Sequence, residues 1–172
     1  MSEREFSEIV RKYQDRVYNT CLGFLKNEED AEDTAQEVFI QVYKSYDSFL
    51  GKSEVTTWIY RIAVNKCLEE LRKTKRTLNA ASLDISIVEK ADTTFYHPGV
   101  MLENKEKAAI LFRAIEQLPE KQQTAFTLNK VEGLSYGEIG KIMDKSTPSV
   151  ESLLHRAKLR LQELLKDYYN GR

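Results

Sequence analysis

Apolar residues recur every three or four positions through most of this chain, the spacing of helices with one buried face. Phe6, Ile9, Val10, Tyr13, Val17, Cys21 and Phe24 form the stripe of a first amphipathic helix. After Lys26-Asn27 a second helix carries Ala31, Ala35, Val38, Phe39, Val42 and Tyr46 on one side. The segment from Asp47 to Lys52 interrupts it. Ser53 is then the expected N-cap of a third helix, with Trp58, Ile59, Ile62, Ala63, Cys67 and Leu71 on its inner face. That helix is expected to end in the basic run Arg72-Lys73-Thr74-Lys75-Arg76.

The periodicity dissolves from Thr77 to Glu103, where residues are mostly small or polar and Pro98-Gly99 signals a turn. A stretch this long without a pattern is unusual inside a compact domain and reads as a flexible linker. Helical order resumes with Ile110, Leu111, Ala114, Ile115 and Leu118. Pro119 opens a further helix where its missing N–H costs little, and Gly133 closes it. Ser135 and Glu138 have the spacing of a capping box, starting a short helix that runs to Met143. A last helix begins near Thr147-Pro148 with Val150, Leu153, Leu154, Ala157, Leu161 and Leu164 as its stripe. The expected fold is all-α, with two helical domains, residues 1–76 and 104–172, joined by a linker over 77–103.

Composition narrows the classes. The chain has 172 residues, 41% hydrophobic and 31% charged, enough apolar material for a core. Net charge is −1, from 26 bases against 27 acids, which excludes a uniformly basic nucleic-acid coat but not a locally basic face. Cys21 and Cys67 lie far apart in apolar surroundings and form no C-x-x-C pair, so no zinc site or disulfide framework is indicated. No apolar run approaches ~18 residues and the N-terminus is no signal peptide, so no membrane insertion is expected and the expected compartment is the cytoplasm.

Two features point to chemistry. The first is a helix-turn-helix over residues 136–155. Ile139, Met143, Val150 and Leu153 supply its apolar contacts, and Gly140 the small residue at the crossing. Such a unit lays its second helix in the major groove of duplex DNA. The outward residues Ser149, Glu151, Ser152, His155, Arg156 and Lys158 are then candidate DNA contacts, with Arg160 beyond them. A helical hairpin that only packs fits the same pattern. The second feature is charge segregation. Residues 27–38 hold six acids and no base, whereas residues 61–76 hold six bases and two acids. Arg61, Asn65, Arg72 and Arg76 follow helical spacing with Lys66 and Lys73 beside them, flanking Trp58 and Tyr60. This arrangement suits a phosphate backbone with aromatics available to stack on unpaired bases. A solvated helix face around a core tryptophan is the alternative. The acidic run has the wrong sign for DNA and suits protein docking or solvent.

Catalysis finds no support. Neither histidine follows a glutamate at the i, i+3 spacing of a dimetal site, and glycine-rich phosphate loops and nucleophile elbows are absent. No enzyme activity, metal or cofactor is expected.

Several strings carry a resemblance. Asp30 to Phe39 resembles D-A-E-D-x-x-Q-E-V-F, and Thr57 to Asn65 resembles T-W-L-Y-R-I-A-x-N. Leu118-Pro119-Glu120 with Glu132 to Ile139 resembles L-P-x followed by E-G-x-S-Y-x-E-I, and His155-Arg156-Ala157-Lys158 resembles H-R-A-[RK]. Together, in order and with only the linker unmatched, they are similar to the extracytoplasmic-function (ECF) class of bacterial sigma factors. The resemblance implies an alternative sigma factor that recruits core RNA polymerase to promoter DNA and assists strand opening. It implies that Asp33, Gln36 and Glu37 dock on the polymerase clamp. It implies that Asp47 to Ser53 and the third helix capture the downstream promoter element as single strand, with a flipped base in a pocket and Arg61, Lys66, Arg72 and Lys73 on phosphates. The helix-turn-helix would read the upstream element as duplex. An anti-sigma factor is an implied further partner. One departure stands out: where the family carries G-T-V-K-S-R-L, this chain has Pro148 to Leu154, with Glu151 and Leu153 in place of two bases. A free-standing helix-turn-helix regulator and a helical adaptor are the rival readings, separated from a sigma factor by binding to core polymerase.

Overall fold

The computed structural model describes residues 2–49, 51, 53–81 and 102–170, and the described residues form helices and turns with no strand. The chain divides into two units, residues 1–94 and 95–172.

In the first unit, α1 (Glu3–Leu25), α2 (Glu28–Ser45) and α3 (Val55–Ala81) each pack on the other two. Local chemistry sets their ends. The Ser2 hydroxyl accepts from the Glu5 N–H while the Glu5 carboxylate accepts from the Ser2 N–H. Those bonds hold the Glu5 carboxyl below its ordinary range. Lys26 takes the left-handed conformation that stops α1, and the Asn27 side chain caps α2 by accepting from Asp30. A short 3-10 turn, Tyr46–Ser48, leads out of α2.

The core holds Tyr13, Val17, Cys21 and Phe24 from α1, and Ala31, Ala35, Val38, Phe39 and Val42 from α2. From α3 come Ile59, Tyr60, Ala63, Val64 and Cys67. Both cysteines are fully buried and neither forms a disulfide. The Tyr13 hydroxyl meets Thr56 Oγ1 at 3.0 Å, tying α1 to the start of α3. The expected inner face of α3 is therefore rotated: Tyr60 and Val64 are buried, and Trp58 and Ile62 are half-buried. Ser53 stands two residues before Val55, and the carbonyl of Glu54 accepts the first helical bond, from Trp58. α3 also runs past Arg76 to Ala81. The Thr77 hydroxyl bonds back to the Lys73 carbonyl and stays inside the helix, and the following Leu78, Ala80 and Ala81 are good helix formers. The remainder of the expected linker to residue 101, with His97, lies outside the described residues.

In the second unit α7 (Thr147–Asn170) packs on α4 (Leu102–Glu116), α5 (Glu120–Lys130) and α6 (Tyr136–Met143). Ala114 and Ile115 of α4, with Leu118 just beyond its end, meet Ala157 and Leu161 of α7, with Phe112, Phe126, Leu164 and Leu165 around them. Pro119 precedes α5 as its N-cap, its carbonyl accepting from Gln122 and Gln123. α5 ends at Lys130, and Gly133 makes the left-handed turn beyond it with φ of +68°.

Candidate functional site

On α2 the inward positions are Ala31, Thr34, Ala35, Val38, Phe39 and Val42. The intervening positions Asp33, Gln36 and Glu37 are all exposed on one side, as helical spacing requires. Acids in the first turn also suit the positive end of the helix dipole. Glu37 reaches across to α3, where Lys66 Nζ lies 3.2 Å from its carboxylate and 3.7 Å from that of Glu69. The exposed stripe continues through Ile40 and Tyr43, about half exposed each, with the Phe6 ring of α1 set edge-on to Tyr43 at 5.1 Å. Helical spacing from Gln36 leads to these two apolar residues, although the sequence reading did not single them out.

Beside this lies the approach to α3. Phe49 stacks on Trp58 with ring centroids 4.7 Å apart, and Tyr46 meets the indole edge-on at 6.3 Å. Trp58 is thus half-buried in an aromatic cluster that anchors the chain between α2 and α3. Tyr60, a candidate DNA contact by sequence, is corrected: it is 8% exposed, one turn from Val64 in the core, and offers no face for stacking. Asn65, Arg72 and Lys73 are exposed, and Arg61 is partly exposed. Lys73 donates to Glu70 at 2.8 Å, a hydrogen bond that holds its ammonium above the usual lysine range. Lys66 and Lys73 therefore both carry acidic partners. Water and salt screen such surface pairs, so an arriving phosphate can displace them.

In the second unit the helix-turn-helix is built as its caps dictate. The Ser135 hydroxyl accepts from the Glu138 N–H, and the Glu138 carboxylate accepts from Ser135 in return. Asp144, at the position where glycine is common, takes the left-handed conformation with φ of 54°, which Asp tolerates better than most residues. A Cβ on Gly140 would meet the carbonyl oxygen of Lys145 at 2.6 Å, so the small residue is needed by the turn itself. Ile139, Ile142 and Val150 are buried, whereas Met143 is half-buried. Along α7, Glu151, Ser152, His155, Arg156 and Lys158 are exposed and Ser149 is half-buried. All but Ser149 line an open concavity of about 760 Å³ with Phe126, Asn129, Lys130, Tyr136 and Leu154. Asn129 donates to the Leu134 carbonyl and holds the turn at its rim. Asn129, Lys130 and Tyr136 were missed by sequence reasoning. Leu153 is buried, so its departure from the family string leaves the outer face of α7 untouched.

Residues 9–77 match the Sigma-70 region 2 family and residues 108–161 match Sigma-70, region 4. The chain is 34% identical to the ECF RNA polymerase sigma factor SigW of Bacillus subtilis, over 94% of this chain and 89% of that one. The chain belongs to the ECF sigma factors. A second relative, the ECF RNA polymerase sigma-E factor of Escherichia coli K12, is 34% identical over 91% of this chain and 84% of its own. An ECF sigma factor directs RNA polymerase to promoters, and this chain is an alternative sigma factor of that kind. Two solved structures share the fold. One is the sigma factor RpoE of Bartonella quintana in complex with the anti-sigma factor NepR (TM-score 0.68, 23% identity, 95% of this chain and 98% of that one). The other is CnrH in complex with the cytosolic domain of CnrY (TM-score 0.65, 19% identity, 96% and 90%). In this ECF sigma factor the α2 and α3 surfaces fall within region 2, and the concavity beside α7 falls within region 4. Among the described residues, no helix is long and apolar enough to cross a membrane.

Proposed function

We propose a division of labour among three surfaces of this sigma factor. The exposed α2 stripe Asp33, Gln36 and Glu37 docks on core polymerase. The α3 surface, with Trp58, Arg61, Asn65, Lys66, Arg72 and Lys73, holds the separated strand of the downstream element. The outer face of α7, with Ser149, Glu151, Ser152, His155, Arg156 and Lys158, reads the upstream element as duplex. The observation that carries this reading is the separation of sign: exposed acids on α2, exposed bases on α3, and a basic concavity beside α7. Like-signed phosphate is repelled from the first surface and attracted to the other two. The two domains are residues 1–81, keeping α3 whole, and 102–172, keeping α4 whole, with the residues between them as the linker.

The protein supplies no catalysis; it positions polymerase and stabilises the open strand in the cytoplasm. The two fold relatives solved with NepR and with the cytosolic domain of CnrY support an anti-sigma factor as a further partner. With a net charge of −1, the free protein binds duplex poorly, and specific binding arises in the holoenzyme, where two promoter contacts raise each other's effective concentration.

The test uses promoter complexes of reconstituted holoenzyme, read by permanganate, which modifies unpaired thymines. Arg61→Ala is expected to bind the promoter and open it poorly. Arg156→Ala is expected to lose dependence on the upstream element and to open promoters with a strong downstream element. Normal opening by Arg61→Ala together with failure by Arg156→Ala overturns the assignment. Failure of the wild-type chain to co-purify with core polymerase overturns the docking role of α2.

A further inference from the structure

The outer face of α7 carries one carboxylate among bases. Glu151 is exposed on the second turn of the helix, shortly after Ser146 Oγ accepts from the Ser149 N–H. It lines the same concavity as Lys130, His155 and Lys158. Among the described residues its carboxylate has neither an ion-pair nor a hydrogen-bond partner, although Arg160 two turns on is paired with Glu163 at 2.6 Å. The carboxylate thus faces the binding surface with its acceptor capacity unspent.

We infer that Glu151 is a specificity-determining residue that selects cytosine at one position of the upstream element. The inference rests on the reading that α7 enters the major groove. A carboxylate there has no use for phosphate, because the two anions repel. It meets base edges, and the major groove offers it two donors, the N4 amino group of cytosine and the N6 amino group of adenine. Guanine presents O6 and N7, and thymine presents O4, so both set an acceptor lone pair against the carboxylate. Adenine places its acceptor N7 beside the amino group, whereas the cytosine amino group is flanked by C–H. Cytosine is therefore preferred, adenine is second, and guanine and thymine are rejected by repulsion as well as by lack of attraction. Lys158 and Arg156 supply the sequence-independent attraction to phosphate that brings Glu151 to the base.

The experiment is initiation by reconstituted holoenzyme on a promoter library randomised across the upstream element, with initiating templates sequenced. The wild type is expected to enrich cytosine over guanine or thymine at one position by roughly 5- to 150-fold, the usual worth of one good base contact. Glu151→Ala is expected to flatten that position alone. Glu151→Gln is expected to shift it towards adenine, which a glutamine amide pairs through N6 and N7. Lys158→Ala is expected to lower initiation on all sequences alike. Unchanged base preferences in both Glu151 variants overturn the inference while leaving upstream reading by α7 intact. Absence of any upstream-element dependence in the wild type instead overturns that reading and this inference with it.

Discussion

Gly140→Ala is expected to destabilise the second unit by roughly 3 kcal/mol, the upper part of the range for forcing an atom into a packed site. The added Cβ would lie 2.6 Å from the Lys145 carbonyl oxygen, a backbone atom that no side-chain rotation moves aside. The turn cannot simply retreat, because the Lys145 N–H donates to the Gly140 carbonyl at 2.9 Å and Asp144 is already in the left-handed region. For a unit of this size the loss corresponds to about 12–24 °C in melting temperature. Gly137→Ala is the contrast: nothing lies within 4 Å of its Cβ position, and alanine improves the helix by up to ~1 kcal/mol. The sole tryptophan, Trp58, lies in the first unit, so its fluorescence should hold its midpoint while the far-ultraviolet helical signal melts early. Equal thermal stability of the two alanine variants contradicts the steric account.

Asp33→Ala with Glu37→Ala is expected to lower affinity for core polymerase roughly a hundredfold, as loss of charge pairs buried at an interface does. Folding should hold. Both side chains are exposed, and such substitutions change stability by less than ~0.5 kcal/mol. Lys66 loses Glu37 but keeps Glu69 within 3.7 Å, so no stranded charge is created. Asp15→Ala, which removes an exposed acid from α1, serves as the control for net charge. Titration of fluorescently labelled chain with core polymerase separates the two, and equal affinities would return the α2 face to solvent.

The helices were legible because their determinants are local. Asn27, Ser135 with Glu138, and the stripes of α1, α2 and α7 act within a few residues of themselves, and each is where its spacing puts it. Contacts between distant segments were not legible. Trp58 and Tyr60 are two positions apart on one helix; both are candidate strand contacts by sequence, and the stripe also puts Trp58 on the inner face. Packing on α1 and α2 decides which ring is buried, and Tyr60 enters the core while Phe49 and Tyr46 hold Trp58 near the surface. The Glu37–Lys66 pair joins residues 29 apart, so neither charged run could disclose that it is partly neutralised by the other. In the second unit the α7 wall of the concavity follows from one helix, but Asn129 and Lys130 come from the end of α5 and Tyr136 from the start of α6. Even the end of α3 was misplaced for a physical reason: polar residues after Arg76 ended the apolar stripe, while helix propensity and the Thr77 back-bond did not end with it.

The two buried thiols make the first unit its own reporter. Cys21 on α1 and Cys67 on α3 are the chain's only cysteines, and neither exposes any surface. A thiol reagent therefore reacts when α1 and α3 part, and it is blind to anything that happens in the second unit. For an opening free energy of about 5 kcal/mol, modification runs roughly five-thousandfold slower than in an unfolded peptide. Gly140→Ala should leave that rate unchanged. Core polymerase that grips the closed form should slow it further, in step with the fraction bound, so the same reaction doubles as a binding assay that needs no attached label.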